Sequence, residues 1–169
     1  MSRLMNGLSL AHVIDVEDPE QLGRVKLTYH TLGDEAPSDW VPVASIGAAP
    51  DAGVYFMPEP GDLAVVGFVA GHINQAIVVG FIWSGDGAPP GATPQERIFK
   101  SRKGHAITLS DDAEDGILIE DANGNKILMN KDGITIETGK ALNIKAGSTA
   151  TIEASGEATV KGSPIQLNP

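Results

Sequence analysis

Residues 127–167 read ILMNKDGITIETGKALNIKAGSTATIEASGEATVKGSPIQL. Apolar pairs spaced two apart recur through this stretch: Ile127/Met129, Ile134/Ile136, Leu142/Ile144, Ala150/Ile152, Ala158/Val160 and Ile165/Leu167. Their first members are separated by 7, 8, 8, 8 and 7 residues, with glycines between pairs at 133, 139, 147, 156 and 162. Side chains two apart lie on one face of a strand. Each unit therefore reads as a very short strand with two inward side chains, closed by a tight turn. Ile107/Leu109 and Ile117/Ile119 extend the pattern back toward Gly104.

Burying two aliphatic side chains per octad returns less free energy than the backbone entropy of ordering eight residues removes. A β-helix that encloses its own core needs coils of about twenty residues or more. An octad is too short to close a turn within one chain. Three chains wound about a common axis solve the problem, each supplying one face of a triangular prism, so the repeat length predicts a homotrimer. The residues expected in the trimer core are Ile134, Ile136, Leu142, Ile144, Ile152 and Val160, continued by Ile165 and Leu167. An aspartate at Ile144 would bury three carboxylates together and is expected to block assembly.

Upstream, short apolar strands alternate with turn chemistry. Strands are expected over residues 11–15, 24–29, 40–44, 63–70 and 76–83, with Val25, Leu27 and Tyr29 sharing a face and Pro42 marking an edge or bulge. Five strands without a helical period predict a small closed or Greek-key β-barrel of OB size. Gly85 to Pro94 holds three glycines and three prolines and reads as a linker. The chain thus divides into an OB-fold domain at 1–84, a Gly/Pro-rich linker at 85–96 and a trimeric β-helical spike at 97–169. The fold class is all-β: an N-terminal OB-fold barrel followed by a C-terminal intertwined trimeric β-helix. Seven of the eight aromatic residues precede residue 85 and only Phe99 follows it, so the rings are expected to fill the barrel core.

Residues 1–96 carry three basic against twelve acidic side chains, and residues 97–169 nine against ten. An acidic front half repels a polyphosphate backbone, so no nucleic-acid partner is expected. Lys100, Arg102 and Lys103 are placed to clamp neighbouring acidic barrels in a trimer. The absence of cysteine excludes disulfides and thiolate metal sites. No membrane-spanning run and no basic-then-apolar signal peptide opens the sequence, which predicts synthesis in the cytoplasm.

Chemistry is hard to find. Asp121-Ala122-Asn123-Gly124-Asn125 resembles the start of a calcium loop. The sixth and twelfth places, which need Gly and Glu, hold Lys126 and Asp132. An Asn-Gly hairpin turn is the better reading. Asp111, Asp112, Glu114 and Asp115 read as a solvated acidic turn, since acid–base catalysis needs carboxylates facing each other across a pocket. No two of His12, His30, His72 and His105 have ligand spacing, and no serine sits in a nucleophile elbow. No catalytic residue, metal or cofactor is expected, and the chain reads as not an enzyme.

Four stretches carry a resemblance: Gly23-Arg24-Val25-Lys26-Leu27, Asp39-Trp40-Val41-Pro42-Val43-Ala44, residues 58–68 (PEPGDLAVVGF) and Ala76-Ile77-Val78-Val79-Gly80-Phe81. In order and spacing the chain resembles phage baseplate assembly protein V. Its OB domain is similar to those of contractile-phage puncturing needles and of the valine-glycine repeat protein of type VI secretion. The resemblance implies a structural spike subunit of a contractile injection machine, at the baseplate of a virion or injection particle. It also implies a hub protein of the tail tube as partner, and transient contact with a target envelope that the needle pierces. The ending Ser163, Pro164, Ile165, Gln166, Leu167 and Asn168 resembles the blunt needle end that accepts a PAAR-type tip protein. Some relatives carry a lysozyme domain where residues 85–94 stand here. Others end in a His-x-His iron site, which this histidine-free end lacks. The rival reading is a trimeric receptor- or glycan-binding module, with the barrel as reader and the octads as stalk. Aromatics exposed on the barrel would favour it, and few are expected outside the strand cores.

Overall fold

Strict alternation builds the first sheet. Leu8–Asp15 (β1) buries Ser9, Ala11 and Val13 on one face, and Arg24–Tyr29 (β2) buries Val25, Leu27 and Tyr29. Val41–Pro42 (β3) is followed by a two-strand hairpin, Ala48–Ala49 (β4) with Ala52–Gly53 (β5). Leu63–Phe68 (β6) and Ala76–Ile82 (β7) bury Ala64, Val66, Ala76 and Val78. The five longer-range neighbours lie in the order β3-β2-β1-β6-β7, every pair antiparallel. The two edges then meet. Val43 bridges Val78 in parallel, and the Ala44 N–H donates to the Val78 carbonyl at 2.8 Å. Bulges in β1/β2 and β6/β7 supply the curl, and the sheet wraps its apolar face inward as an OB domain does.

The computed structural model describes residues 7–30, 37–85, 87–91, 93–112 and 116–166. Among them the fold is all-β, broken by a single 3-10 turn at Val69–Gly71. No helix among them is long and apolar enough to cross a membrane. The chain divides into two units, residues 1–90 and 91–169.

The core of the first unit is aliphatic, which corrects the expectation of an aromatic one. Ala11, Val13, Val25, Leu27, Val41, Ala64, Val66 and Val78 fill it, and Tyr29 is its one buried ring among the described residues. Tyr55, Phe56 and Trp83 stand 81%, 68% and 68% exposed. A barrel of five short strands encloses little volume, and alternating Val, Ala and Leu already fill it.

The turn after β1 is organised by one carboxylate. Asp18 is nearly buried and accepts hydrogen bonds from the backbone N–H groups of Glu20, Leu22 and Arg24 at 3.1, 2.9 and 3.3 Å. The Arg24 guanidinium adds two more, at 2.9 and 2.7 Å. Arg24, then these backbone donors, hold the Asp18 carboxyl well below the usual carboxylate range despite the opposing effect of burial. A lowered native pKa stabilises the fold above the unfolded value near 4 and ceases to do so as pH falls through the native value. Melting temperature followed by circular dichroism should therefore fall below about pH 4 in the wild type. Asp18→Asn should melt lower at neutral pH and lose that part of the acid dependence. An unchanged acid limb would remove Asp18 from the account.

The second unit is a meander of five strands: Glu96–Lys100 (β8), Ala106–Ser110 (β9), Ile117–Glu120 (β10), Lys126–Asn130 (β11) and Gly133–Glu137 (β12). Each pairs antiparallel with its sequence neighbour. Here the structure differs from a pattern in which every short strand pairs only between chains. Turns of two to six residues bring consecutive strands together at little loop-closure cost, so these strands pair with each other. From residue 138 to 166 the chain enters no strand.

Candidate trimer interface

Register gives the meander a two-row apolar face. Directly opposed residues run Phe99–Ile107–Ile119–Ile127–Ile136 in one row and Arg97–Leu109–Ile117–Met129–Ile134 in the next. Residues two apart on each strand share a face, so nine apolar side chains and one arginine lie together. Eight of the nine are exposed in the single chain, and Met129 is half-buried. Arg97, at the end of its row, pairs with the Asp111 carboxylate. The opposite face presents Ile98, Thr108, Leu118 and Leu128, all half-buried, and an ion pair of Lys126 with Glu137 at 2.8 Å. Opposed aliphatic pairs of this kind are the stabilising unit of a sheet.

Two turns lock this register. Asp121 accepts from the backbone N–H groups of Asn123 and Asn125 at 2.8 and 3.0 Å, and from their side-chain amides at 3.1 and 2.7 Å. The side-chain donors of Asn123 and Asn125 are the main reason the Asp121 carboxyl sits well below its ordinary range. Its oxygens serve the β10–β11 hairpin, and the Thr138 hydroxyl closes the turn by donating to Asn125 Oδ1. Among the described residues no three acidic or imidazole side chains converge, and the stretch is the turn that joins β10 to β11. Gly116 enters β10 with φ +59°, where an added Cβ would stand 2.1 Å from the Met129 carbonyl oxygen.

The expected core residues fall in two groups. Ile134 and Ile136 lie on β12 and belong to the two-row face. Leu142, Ile144, Ile152 and Val160 lie beyond it, outside any strand. Across all six the exposure runs from 57% to 91%. Ser163, Pro164, Ile165 and Gln166, the expected tip contacts, are exposed and also outside strands, while Leu167 and Asn168 fall outside the described residues. Sequence reading missed β8, which adds Phe99 and Arg97 to the face. Its signal is the faint alternation of Ile98 against Arg97 and Phe99.

The remaining candidates are local structure. The His12 and His30 rings lie 4.6 Å apart, tilted by 48°, with His12 Nδ1 3.3 Å from the Gly61 carbonyl oxygen. His72 sits in the turn after the 3-10 segment, and His105 Nδ1 accepts from the Ala122 N–H at 3.4 Å. Of the acidic cluster, Asp111 holds Arg97 and Asp112 donates its N–H to Ser110 Oγ at 3.3 Å. Glu114 and Asp115 fall outside the described residues. Lys100 ends β8, and Arg102 and Lys103 form its turn into β9. On the first unit, Ser45 Oγ braces the β4–β5 hairpin through the carbonyls of Gly47 and Val54, at 3.0 and 2.5 Å. The braced hairpin holds Ile46, Tyr55 and Phe56 out in solvent.

Comparison with known proteins agrees with both units. Residues 9–83 match the type VI secretion system/phage-baseplate injector OB domain. Residues 96–163 match the phage baseplate V C-terminal trimerisation domain. No curated protein matches the chain.

Proposed function

Because the chain belongs to the phage baseplate V family, we propose that it is the spike subunit of a contractile injection machine, a phage baseplate, tailocin or related secretion system. Three copies form a homotrimer, with the OB barrels on the hub protein of the tail tube and residues 97–169 directed away as a needle. Residues 85–96 join the two as a short linker. The trimer core is Ile134, Ile136, Leu142, Ile144, Ile152 and Val160, and residues 138–166 wind as an intertwined β-helix. The role is mechanical and not enzymatic. Continuous pairing between chains leaves few free strand edges, and an aliphatic core resists bending. Sheath contraction drives the needle through the target envelope, capped by a PAAR-type tip protein on Ser163, Pro164, Ile165 and Gln166 and the two residues that follow.

The observation that carries this reading is the exposed two-row face continued by exposed octads, an apolar surface that one chain cannot cover. Sedimentation velocity of the purified chain is expected to give an elongated particle of three times 17.6 kDa. A compact 17.6 kDa monomer would end the spike reading.

The rival reading gains one observation. Tyr55, Phe56 and Trp83 are exposed, and exposed rings are what stacks on a sugar or receives a receptor. The same rings serve the spike reading equally as a docking surface for the hub, and both readings are trimeric, so it is the match of residues 9–83 to an injector OB domain that keeps the spike first.

A further inference from the structure

The two parts of the expected trimer core differ in what holds them. Strands β8 to β12 carry complete ladders within one chain, closed by turns of two to six residues. Local pairing of this kind forms quickly and without a partner. Residues 138–166 have no strand partner in their own chain. Their order has to come from three chains meeting at once, with every strand ordered in the encounter.

Register divides them further. The octads repeat at 134, 142, 150 and 158. Sliding one chain by eight residues lays Ile134/Ile136 against Leu142/Ile144 and loses only the last pair. A repeating apolar pattern specifies register weakly. The meander cannot slide in this way. Its turns have unequal lengths, Asp121 fixes one of them, and Gly116 admits the chain into β10 in one conformation.

We propose that the two-row face of the meander is the surface on which three copies first associate, and that it sets the register in which the octads then wind. The occupant of the face is the same face of two further copies. This rests on the homotrimer reading above and adds the order of assembly. Three facts argue for a second copy over another partner. The face lies within the stretch matched to a trimerisation domain. Its last strand carries Ile134 and Ile136, which in sequence are the first pair of the eight-residue spacing that continues at 142, 150 and 158. Eight of its nine apolar side chains are exposed in the single chain, an apolar sheet face of the kind that a subunit contact covers.

Two substitutions in the full chain separate the parts. Ile119→Asp places a charge at the centre of the face, on the middle strand β10, where Ile119 is exposed in the single chain, so the meander is expected to fold with it. It should sediment as a monomer of 17.6 kDa, with amide protection in β9 to β11 showing the meander intact. Ile152→Asp lies among the octads. It should sediment at three times 17.6 kDa, with residues 138–166 exchanging amide hydrogens at unprotected rates. An Ile119→Asp trimer, or an Ile152→Asp monomer, overturns the order of assembly. Loss of amide protection in monomeric Ile119→Asp moves the test to Ile127→Thr, which keeps a β-branched residue in the strand. That variant should need at least tenfold higher concentration to trimerise, and an unchanged midpoint overturns the proposal. Should the wild type itself be monomeric, the homotrimer reading falls and not merely the order.

Discussion

If residues 138–166 wind as proposed, Ile144→Asp is expected to leave the chain trimeric at pH 7 but to unwind them: residues 138–166 should lose amide protection and become open to proteolysis, while β8 to β12 stay protected. In the wound state three carboxylates would lie together near the axis, in an aliphatic core built from Leu142, Ile144 and Ile152. An uncompensated charge in such a place costs on the order of 3–5 kcal/mol per chain, enough to offset the roughly 3–6 kcal/mol that an octad's two side chains recover at best. Burial and mutual repulsion both raise the pKa of such a group above the ordinary Asp value near 3.9. The wound form therefore gains stability as pH falls through the raised native value and loses it as pH rises. Lowering the pH from 7 toward 4 should restore protection to residues 138–166, and raising it should release them. Limited proteolysis at the two pH values, with Ile144→Asn as the variant that does not titrate, reads this out. Full protection of Ile144→Asp at neutral pH would remove Ile144 from the axis. From the repeat alone the same substitution is expected to block assembly altogether. The meander changes that expectation, because a second apolar face remains to hold the chains together.

Gly116→Ala is expected to cost about 2–4 kcal/mol, from a left-handed conformation forced on a residue with a Cβ together with a backbone collision. The added Cβ would stand 2.1 Å from the Met129 carbonyl oxygen and 3.1 Å from Asn130 Cα. These are backbone atoms and cannot rotate away. Strand β10 must lift from β11, opening the Ile117–Met129 pair and both rows of the apolar face. The trimer should dissociate at a lower urea concentration, with amide exchange rising first in β10 and β11. Gly124→Ala is the internal control. Gly124 has φ +85° with nothing within 4 Å of an added Cβ, so it bears only the conformational cost, about 1–2 kcal/mol. Equal losses in the two variants would show that the collision is relieved by local shifts and that β10 does not depend on Gly116.

The barrel strands were legible because their alternation is strict. Val25, Leu27 and Tyr29 on β2, and Ala64 and Val66 on β6, are buried as a period of two requires. What fills the core was not legible from the aromatic count. The count locates rings along the chain but does not say which side of a strand or loop they leave. Tyr55 and Phe56 follow a hairpin whose bracing by Ser45 joins residues nine apart, and no local pattern announces it. The candidate trimer face was half legible. Each pair, such as Ile117/Ile119 or Ile134/Ile136, is visible in sequence, but which pair lies opposite which depends on turn length. Phe99 escaped because one apolar alternation beside three basic residues resembles a solvated segment.

The sequence by itself determined the class of the protein. Strands with a period of two, turns every seven to ten residues and octads too short to close on themselves point to an all-β chain whose octads need partner chains. Those conclusions rest on local periodicity and on entropy per residue, which any sequence displays. Only the tertiary structure decided that the curled sheet's edges meet at Val43 and Val78, that its core is mainly aliphatic with Tyr29 as its one buried ring among the described residues, and that residues 96–137 pair within one chain while residues 138–166 do not. Each of these depends on contacts between residues far apart in the chain, or on a choice between pairing inside and outside it. Loop-closure entropy and register settle that choice, and neither is written in any single stretch of sequence.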